Sequence, residues 1–350
     1  MSKRWGVLVL FFLLFLLGCQ AEEPPLAALP ATTVAPATAA PTARPTETAT
    51  AIATATAVPT QTPLPTNTPT PEPTSPPTAL PQLTNTPGPV PELTSHTVWP
   101  RWENVAEYSF YSPSRRKEVF FTIYTPPGYD ESEEHYPVLY FLHGSQSSQI
   151  LFWNAVSREV PAANDDAGVW LSDLINSGTM PPFILVAPDD ADGYWGNINK
   201  VMVTEELIQV VDSNWRTIPE QNGRSLTGFS MGAGGAMAYP AERPDLYCNT
   251  MILAESGDYD ALAKWSHNVP AVLYYDLEIA FAVGELDTRG VEETTYASET
   301  LTELGIPHTV EIVPDIPHDF GKLYNQIGIA ALQYHASCWG SVRHLESFDW

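Results

Sequence analysis

The sequence predicts an α/β fold built on a mostly parallel sheet. Three observations point there. Short continuous apolar runs recur through the C-terminal part of the chain, amphipathic stretches of helical length separate them, and a Gly-x-Ser-x-Gly segment leads from the plausible strand Arg224-Ser225-Leu226-Thr227 to a small-residue helix start. Continuous apolar runs suit strands buried on both faces of a parallel sheet, and strands alternating with helices suit a doubly wound arrangement. Such sheets bind ligands beyond the carboxyl ends of their strands, so the loops after strands are where chemistry is expected.

The chain begins with Lys3 and Arg4 ahead of an apolar run over 5–17. That is too short to cross about 30 Å of hydrocarbon and suits an export signal. The run ends in Leu16-Leu17-Gly18-Cys19, which resembles the bacterial lipobox. The resemblance implies cleavage after residue 18 and acylation of Cys19. The mature protein is then expected on the outer face of the cell membrane, or in the outer membrane where the host has one; Gln20 in place of Asp permits that sorting. Several acyl chains make a durable anchor where one would be marginal.

Residues 19–98 read as a disordered tether. Between Pro24 and Pro91 there are 18 prolines and 18 threonines, and no Phe, Tyr or Trp occurs between Phe15 and Trp99. Such a segment cannot bury enough apolar surface to offset its conformational entropy, and its Thr-Pro steps favour extended conformations. One folded domain is therefore expected over 99–350, ample for a well-buried core. Residues 1–98 hold three of the 16 Lys/Arg and five of the 41 Asp/Glu, which leaves 13 against 36 and a net charge near −23 for the rest. So acidic a domain argues against nucleic acid or anionic lipid as a direct partner.

Aromatic and β-branched runs at 108–111 and 119–125, separated by Pro113-Ser114-Arg115-Arg116, predict an opening hairpin. Buried strands are predicted over 137–142, 183–187, 251–254, 279–283 and 310–313, with helices over 205–215 and 294–304 between them.

Gly228-Phe229-Ser230-Met231-Gly232, followed by Ala233-Gly234-Gly235-Ala236, has the pattern of a nucleophile elbow, a sharp strand-to-helix turn. Glycines flank the serine because the turn packs too closely for side chains, and the serine takes a strained conformation. The following helix directs its positive end at the site of developing negative charge. Ser230 is the expected nucleophile.

Together with this elbow, Tyr124-Thr125-Pro126-Pro127-Gly128-Tyr129 and the segment from Tyr136 to His143-Gly144 resemble the esterase D family, over roughly residues 105–334. That family is the branch of the α/β-hydrolases that includes feruloyl and acetylxylan esterases and mycolyltransferases. The resemblance implies the α/β-hydrolase fold, a serine esterase activity and no cofactor. A serine hydroxyl needs a base within hydrogen-bond reach and a carboxylate to orient it, in the chain order Ser, acid, His. Of the eight histidines, His318 lies just after the last predicted strand and matches the family's His-Asp-aromatic segment. The acid should follow the preceding strand, where Glu285 and Asp287 both stand; the family's Gly-x-x-Asp pattern falls on Asp287. Asp319 is expected to be a structural hydrogen-bonder. The oxyanion-hole amides are expected from Met231 and Ser145, although Ser145-Gln146-Ser147-Ser148 lacks the further glycines of many relatives.

Trp153 and Trp195 fall in predicted loops and are candidates for lining an acyl or aromatic pocket, with core packing the alternative. Cys248 and Cys338 can pair in an exported protein, though spacing alone leaves that open. No metal-ligand spacing, phosphate loop or dinucleotide fingerprint is present. The expected activity is hydrolysis of a carboxylic ester, with polysaccharide-linked esters as candidate substrates; acyl transfer to a sugar hydroxyl, peptide hydrolysis and a tethered binding module are the alternatives.

Overall fold

The computed structural model describes residues 89–97, 102–190, 194–255, 257 and 259–340. The signal, Cys19 and nearly all of the expected tether lie outside the described residues.

Nine strands form one sheet: β1 Leu93–His96, β2 Val105–Ser112, β3 Lys117–Tyr124, β4 Val138–Leu142, β5 Ile184–Pro188, β6 Arg224–Phe229, β7 Asn249–Leu253, β8 Glu278–Gly284 and β9 Thr309–Val313. Their spatial order is β1-β2-β3-β5-β4-β6-β7-β8-β9. The first three are antiparallel, β3 joins β5 antiparallel, and all pairs from β5 to β9 are parallel. This is the α/β-hydrolase arrangement.

Alternation along the strands divides the core between the two faces of the sheet. Val138, Tyr140 and Leu142 point to one side, with Ile184, Val186, Ile252 and Phe281. Leu139 and Phe141 point to the other, with Leu185, Leu253 and Ala282. Every residue of β4, β5, β6 and β7 is buried; β4 and β5 accordingly read as continuous apolar runs, whereas β6 and β7 also bury Arg224, Ser225, Thr227, Asn249 and Thr250. The first side is covered by α4 (Ile208–Asn214), α5 (Met231–Glu242), α6 (Tyr259–Tyr274) and α7 (Thr288–Glu303). The second is covered by α1 (Leu151–Glu159), α2 (Ala167–Asn176) and α8 (Phe320–Ala336).

Three expectations need correction. The sheet begins before residue 99: Leu93–His96 pairs antiparallel with β2, and the ring of His96, read as part of the tether, hydrogen-bonds Ser109 Oγ at 2.8 Å. A four-residue strand with two exposed residues carries too little apolar signal to stand out beside a Pro/Thr tract. The helix expected over 205–215 is compound. It opens as α3 (Asn197–Val201), widens into a π-turn at Met202–Leu207 and ends in α4. From the π-turn, the Glu206 carboxylate accepts from Ser112 Oγ and from Ser114 N–H at 2.8 Å, tying it to the β2–β3 turn. Finally, β9 is an edge strand with Val310 and Ile312 exposed, so it is not buried on both faces.

Candidate active site

The strand β6 delivers Ser230 into a turn that only particular neighbours allow. Ser230 has φ 55° and ψ −117°, a conformation non-glycine residues rarely adopt. A Cβ on Gly228 would lie 2.1 Å from Gly232 O, and one on Gly232 would lie 2.1 Å from Leu142 O. The two flanking glycines are therefore required by backbone contacts, one of them with the neighbouring strand β4. The Ser230 N–H donates to Leu253 O at 2.9 Å, which ties the strained turn to the end of β7.

Three side chains from three strand ends then meet in one line. Ser230 Oγ lies 2.8 Å from His318 Nε2, and His318 Nδ1 lies 2.5 Å from Asp287 Oδ2. The imidazole is 42% exposed and the carboxylate 8%. Asp287 also caps α7, where its Oδ1 accepts from Gly290 N–H at 3.0 Å. A Cβ on Gly290 would stand 2.2 Å from Asp287 Oδ2, so the first turn of α7 leaves room for the carboxylate. The His318 ring rests against Phe229 with centroids 4.9 Å apart. This line of groups is suited to removing a proton from the serine hydroxyl.

The other expected residues fall into place around it. Met231 is the first residue of α5 and borders the same cavity as Ser145, Ser230, Asp287 and His318. That cavity has a volume of about 470 Å³. Asp319 caps α8, accepting from Lys322 N–H at 3.0 Å, the structural role its position suggested. Glu285 is exposed and accepts from Asp315 N–H at 3.3 Å rather than meeting the histidine. Another Ser–His contact exists, Ser298 Oγ to His308 Nε2 at 2.7 Å, but there Nδ1 faces the Ile306 carbonyl rather than a carboxylate. Only the Ser230 arrangement joins a serine, an imidazole, a carboxylate and a strained turn among the described residues.

The two tryptophans do not line the cavity. Trp153 is fully buried in α1 and donates to Thr122 Oγ1 at 2.7 Å. Trp195 is fully buried and donates to the carbonyl of His143 at 2.8 Å. Each indole is large and apolar with a single N–H to satisfy, and the core provides both requirements. The residues that do reach the cavity, and that the sequence reading missed, are Tyr194, Glu255, Arg289 and Gly290. Glu255 is 1% exposed and follows Ala254, which leaves β7 with φ 51°. The strand-end rule applied to the 251–254 run would have pointed to it. Tyr194, half exposed, adjoins the tryptophan that was singled out.

Residues 112–304, more than half of the chain, match the family described as "Putative esterase". The chain belongs to this esterase family. It is similar to an endo-1,4-beta-xylanase/feruloyl esterase of Xylanibacter ruminicola, 29% identical over 157 residues that make up 41% of this chain and 20% of the relative. It is also similar to an esterase of Mycobacterium tuberculosis, 28% identical over 166 residues, 42% of this chain and 32% of that protein. The chain thus spans only a fifth to a third of these curated relatives. Among solved structures, a ferulic acid esterase aligns with a TM-score of 0.55 at 17% identity, covering 67% of this chain and 98% of the other. A fluorophosphonate-binding serine hydrolase of Staphylococcus aureus aligns at 0.54 and 14% identity, covering 66% and 98%. At such identities the structural likeness establishes the fold. Among the described residues no helix is long and apolar enough to cross a membrane.

Proposed function

We propose that this protein is a carboxylic-ester hydrolase that works through an acyl-enzyme on Ser230, with His318 as base and Asp287 orienting it. The single observation that carries this reading is the hydrogen-bonded line from Ser230 Oγ through His318 to Asp287, set on the strained turn before α5. Ser230 Oγ attacks the carboxyl carbon while its proton passes to His318 Nε2. The resulting oxyanion is held by the amides of Met231 and Ser145. Collapse of the tetrahedral intermediate expels the alcohol, which takes the proton from Nε2, and leaves an ester on Ser230. Water then attacks that ester, giving a proton to Nε2; the acid departs and Ser230 Oγ is reprotonated. Asp287 stays ionised throughout, holding the tautomer and stabilising the imidazolium.

The substrate proposed is an ester attached to a polysaccharide. An open cavity that presents Tyr194, Glu255 and Arg289 supports this, as does similarity to a protein named as a xylanase/feruloyl esterase. The working compartment is proposed to be extracytoplasmic, with Cys19 lipidated and the Pro/Thr-rich segment as spacer. The disulfide between Cys248 and Cys338 supports it, since such bonds persist in oxidising compartments.

A fluorophosphonate probe should label Ser230 stoichiometrically, and Ser230→Ala should abolish both labelling and hydrolysis of p-nitrophenyl, acetylxylan and feruloyl esters. Full esterase activity in that variant would defeat the mechanism. Faster turnover of p-nitrophenyl acetate than of every polysaccharide-linked ester would defeat the substrate reading alone. Cys19→Ala should shift the protein from the detergent phase to the aqueous phase.

A further inference from the structure

The segment that bears Ser145 has little of its own to hold it. After β4 the chain leaves regular structure at His143, and no glycine follows Gly144 before the loop turns at Gln146, where φ is 57°. The elbow opposite is fixed by its own glycines. The 143–145 segment is instead fixed by side-chain hydrogen bonds, made by the His143 ring itself and by a stretch about 50 residues away.

Two carbonyls are held. Trp195 Nε1–H donates to His143 O at 2.8 Å. The His143 ring lies 2.8 Å from Gly144 O through Nδ1, and 3.1 Å from Asp190 N through Nε2. A carbonyl can only accept and a backbone N–H can only donate, so these partners fix the tautomer: Nδ1 carries the proton and Nε2 is the acceptor. The Asp189 carboxylate stands 3.4 Å from Nε2, but the Asp190 amide already occupies that lone pair. The same commitment leaves the His143, Asp189 and Asp190 group unsuited to a metal. Trp195 also packs edge-on against the His143 ring, centroids 5.2 Å apart, and both residues are buried. Asn199 Nδ2 donates to Asp190 O at 3.1 Å and Tyr194 O at 2.9 Å, bracing the stretch that supplies both partners.

The consequence lies in the geometry of one peptide. In a trans peptide the C=O and the following N–H point in opposite directions. Holding Gly144 O on the buried side therefore turns the N–H of Ser145 away from it, toward the cavity that Ser145 and Ser230 share. We infer that Trp195, His143 and Asn199 are positioning residues for the oxyanion hole: they aim the Ser145 amide. This rests on the reading of Ser230 as nucleophile, and it extends that reading to residues that touch neither substrate nor serine. It also places a substrate-facing side chain, Tyr194, directly beside the tryptophan that clamps the loop.

The test removes one hydrogen bond in the full-length protein. Trp195→Phe deletes the donor, and replacing Trp195 by benzothienylalanine deletes it while preserving the shape of the indole, which guards against misfolding. One oxyanion donor is worth about 10²–10³ in rate, so loosening its aim should cost roughly 10-fold or more in kcat. KM should stay within about twofold. A trifluoromethyl ketone, whose adduct places an oxyanion in the hole, should bind correspondingly weaker, whereas affinity for the carboxylic acid product should not move. A role limited to packing would leave the benzothienylalanine protein with wild-type kcat and ketone affinity, and that result overturns the inference. Wild-type protein that is not labelled at Ser230 by fluorophosphonate would instead overturn the underlying mechanism.

Discussion

The two ends of the parallel strands have opposite characters. At the carboxyl ends, Ser230 and Ala254 sit at positive φ and the His318 imidazole is left 42% exposed. At the amino ends, Asn249, Ser225 and His335 are buried and partnered. Asn249 donates to the carbonyls of Tyr334 and His335 at 2.9 and 3.2 Å, and its Oδ1 faces His335 Nδ1 at 2.9 Å. Trp339 Nε1 donates to Ser225 Oγ at 2.8 Å, and Cys248 is bonded to Cys338 nearby. Backbone strain costs stability, and a fold can carry it where the other end is tightly held. The contrast teaches a division of labour: one end of the sheet carries the proposed chemistry and the other retains the fold.

The largest effect that could break this contrast comes from Ser230 itself. Both Ser230→Ala and Ser230→Gly should lose about 10³-fold or more in kcat/KM, because nucleophile and base act as a unit. Their stabilities should differ. Glycine tolerates φ 55° without strain, so Ser230→Gly should gain roughly 1 kcal/mol in urea unfolding, while alanine keeps the strain and should gain nothing comparable. Equal stabilities would mean that the elbow stores no strain.

The same contrast explains what was legible in the sequence. The elbow could be read because its constraints are local: Gly228 and Gly232 are forced by contacts within a few residues and with the adjoining strand. Asp287 and His318 could be picked out because each stands in a loop after a predicted strand and falls on the family's Gly-x-x-Asp and His-Asp-aromatic patterns. The clamp on Ser145 could not be, since Trp195 and Asp190 reach His143 across about 50 residues and nothing in their local pattern announces a partner. Trp153 and Trp195 misled for a related reason: an aromatic residue in a loop or helix start looks the same whether it faces a cavity or fills a core. The disulfide stayed open because Cys248 and Cys338 are 90 residues apart and are brought together by α8 packing back across β7.

At the amino ends, the disulfide should matter most. Closing a 90-residue loop removes about 4–5 kcal/mol of unfolded-state entropy on the chain-entropy account. The double variant Cys248→Ser with Cys338→Ser should therefore unfold at much lower urea. Its kcat/KM at 25 °C should remain within about twofold of wild type. A large loss of turnover in protein that is still folded would show that this end reaches the chemistry after all.

His335 offers a subtler probe. Burial disfavours its imidazolium and lowers its pKa to about 3 in the folded protein, against about 6.5 for a free histidine. The unfolded chain thus binds a proton below about pH 6.5 that the folded chain refuses until about pH 3. Stability from this group is present above the unfolded pKa and is lost as pH falls between the two values, by up to about 1.4 kcal/mol per unit. Carboxylates also contribute to acid unfolding, so the informative quantity is a difference. The stability advantage of wild type over His335→Gln should shrink as pH drops from 6.5 to 4.5, and a gap independent of pH would refute the assignment.

The smallest effect tests the boundary of the domain. A chain starting at residue 102 lacks β1 and should differ from one starting at residue 89. Leu93 packs against the core, His96 bonds Ser109, and four residues pair with β2, so removing the strand strips one edge of the sheet. Because β1 is short and partly exposed, the loss should be only about 1–2 kcal/mol, on the order of a hydrogen bond or two plus one partly buried leucine. The bared edge of β2 presents unpaired N–H and C=O groups, so the shorter chain should also self-associate as its concentration rises. Turnover should be untouched, since β1 lies at the opposite edge of the sheet from β8 and β9. Matched urea titrations and sedimentation of the two fragments check this. Identical stability would return the start of the domain to residue 99, where the Pro/Thr composition alone would have put it.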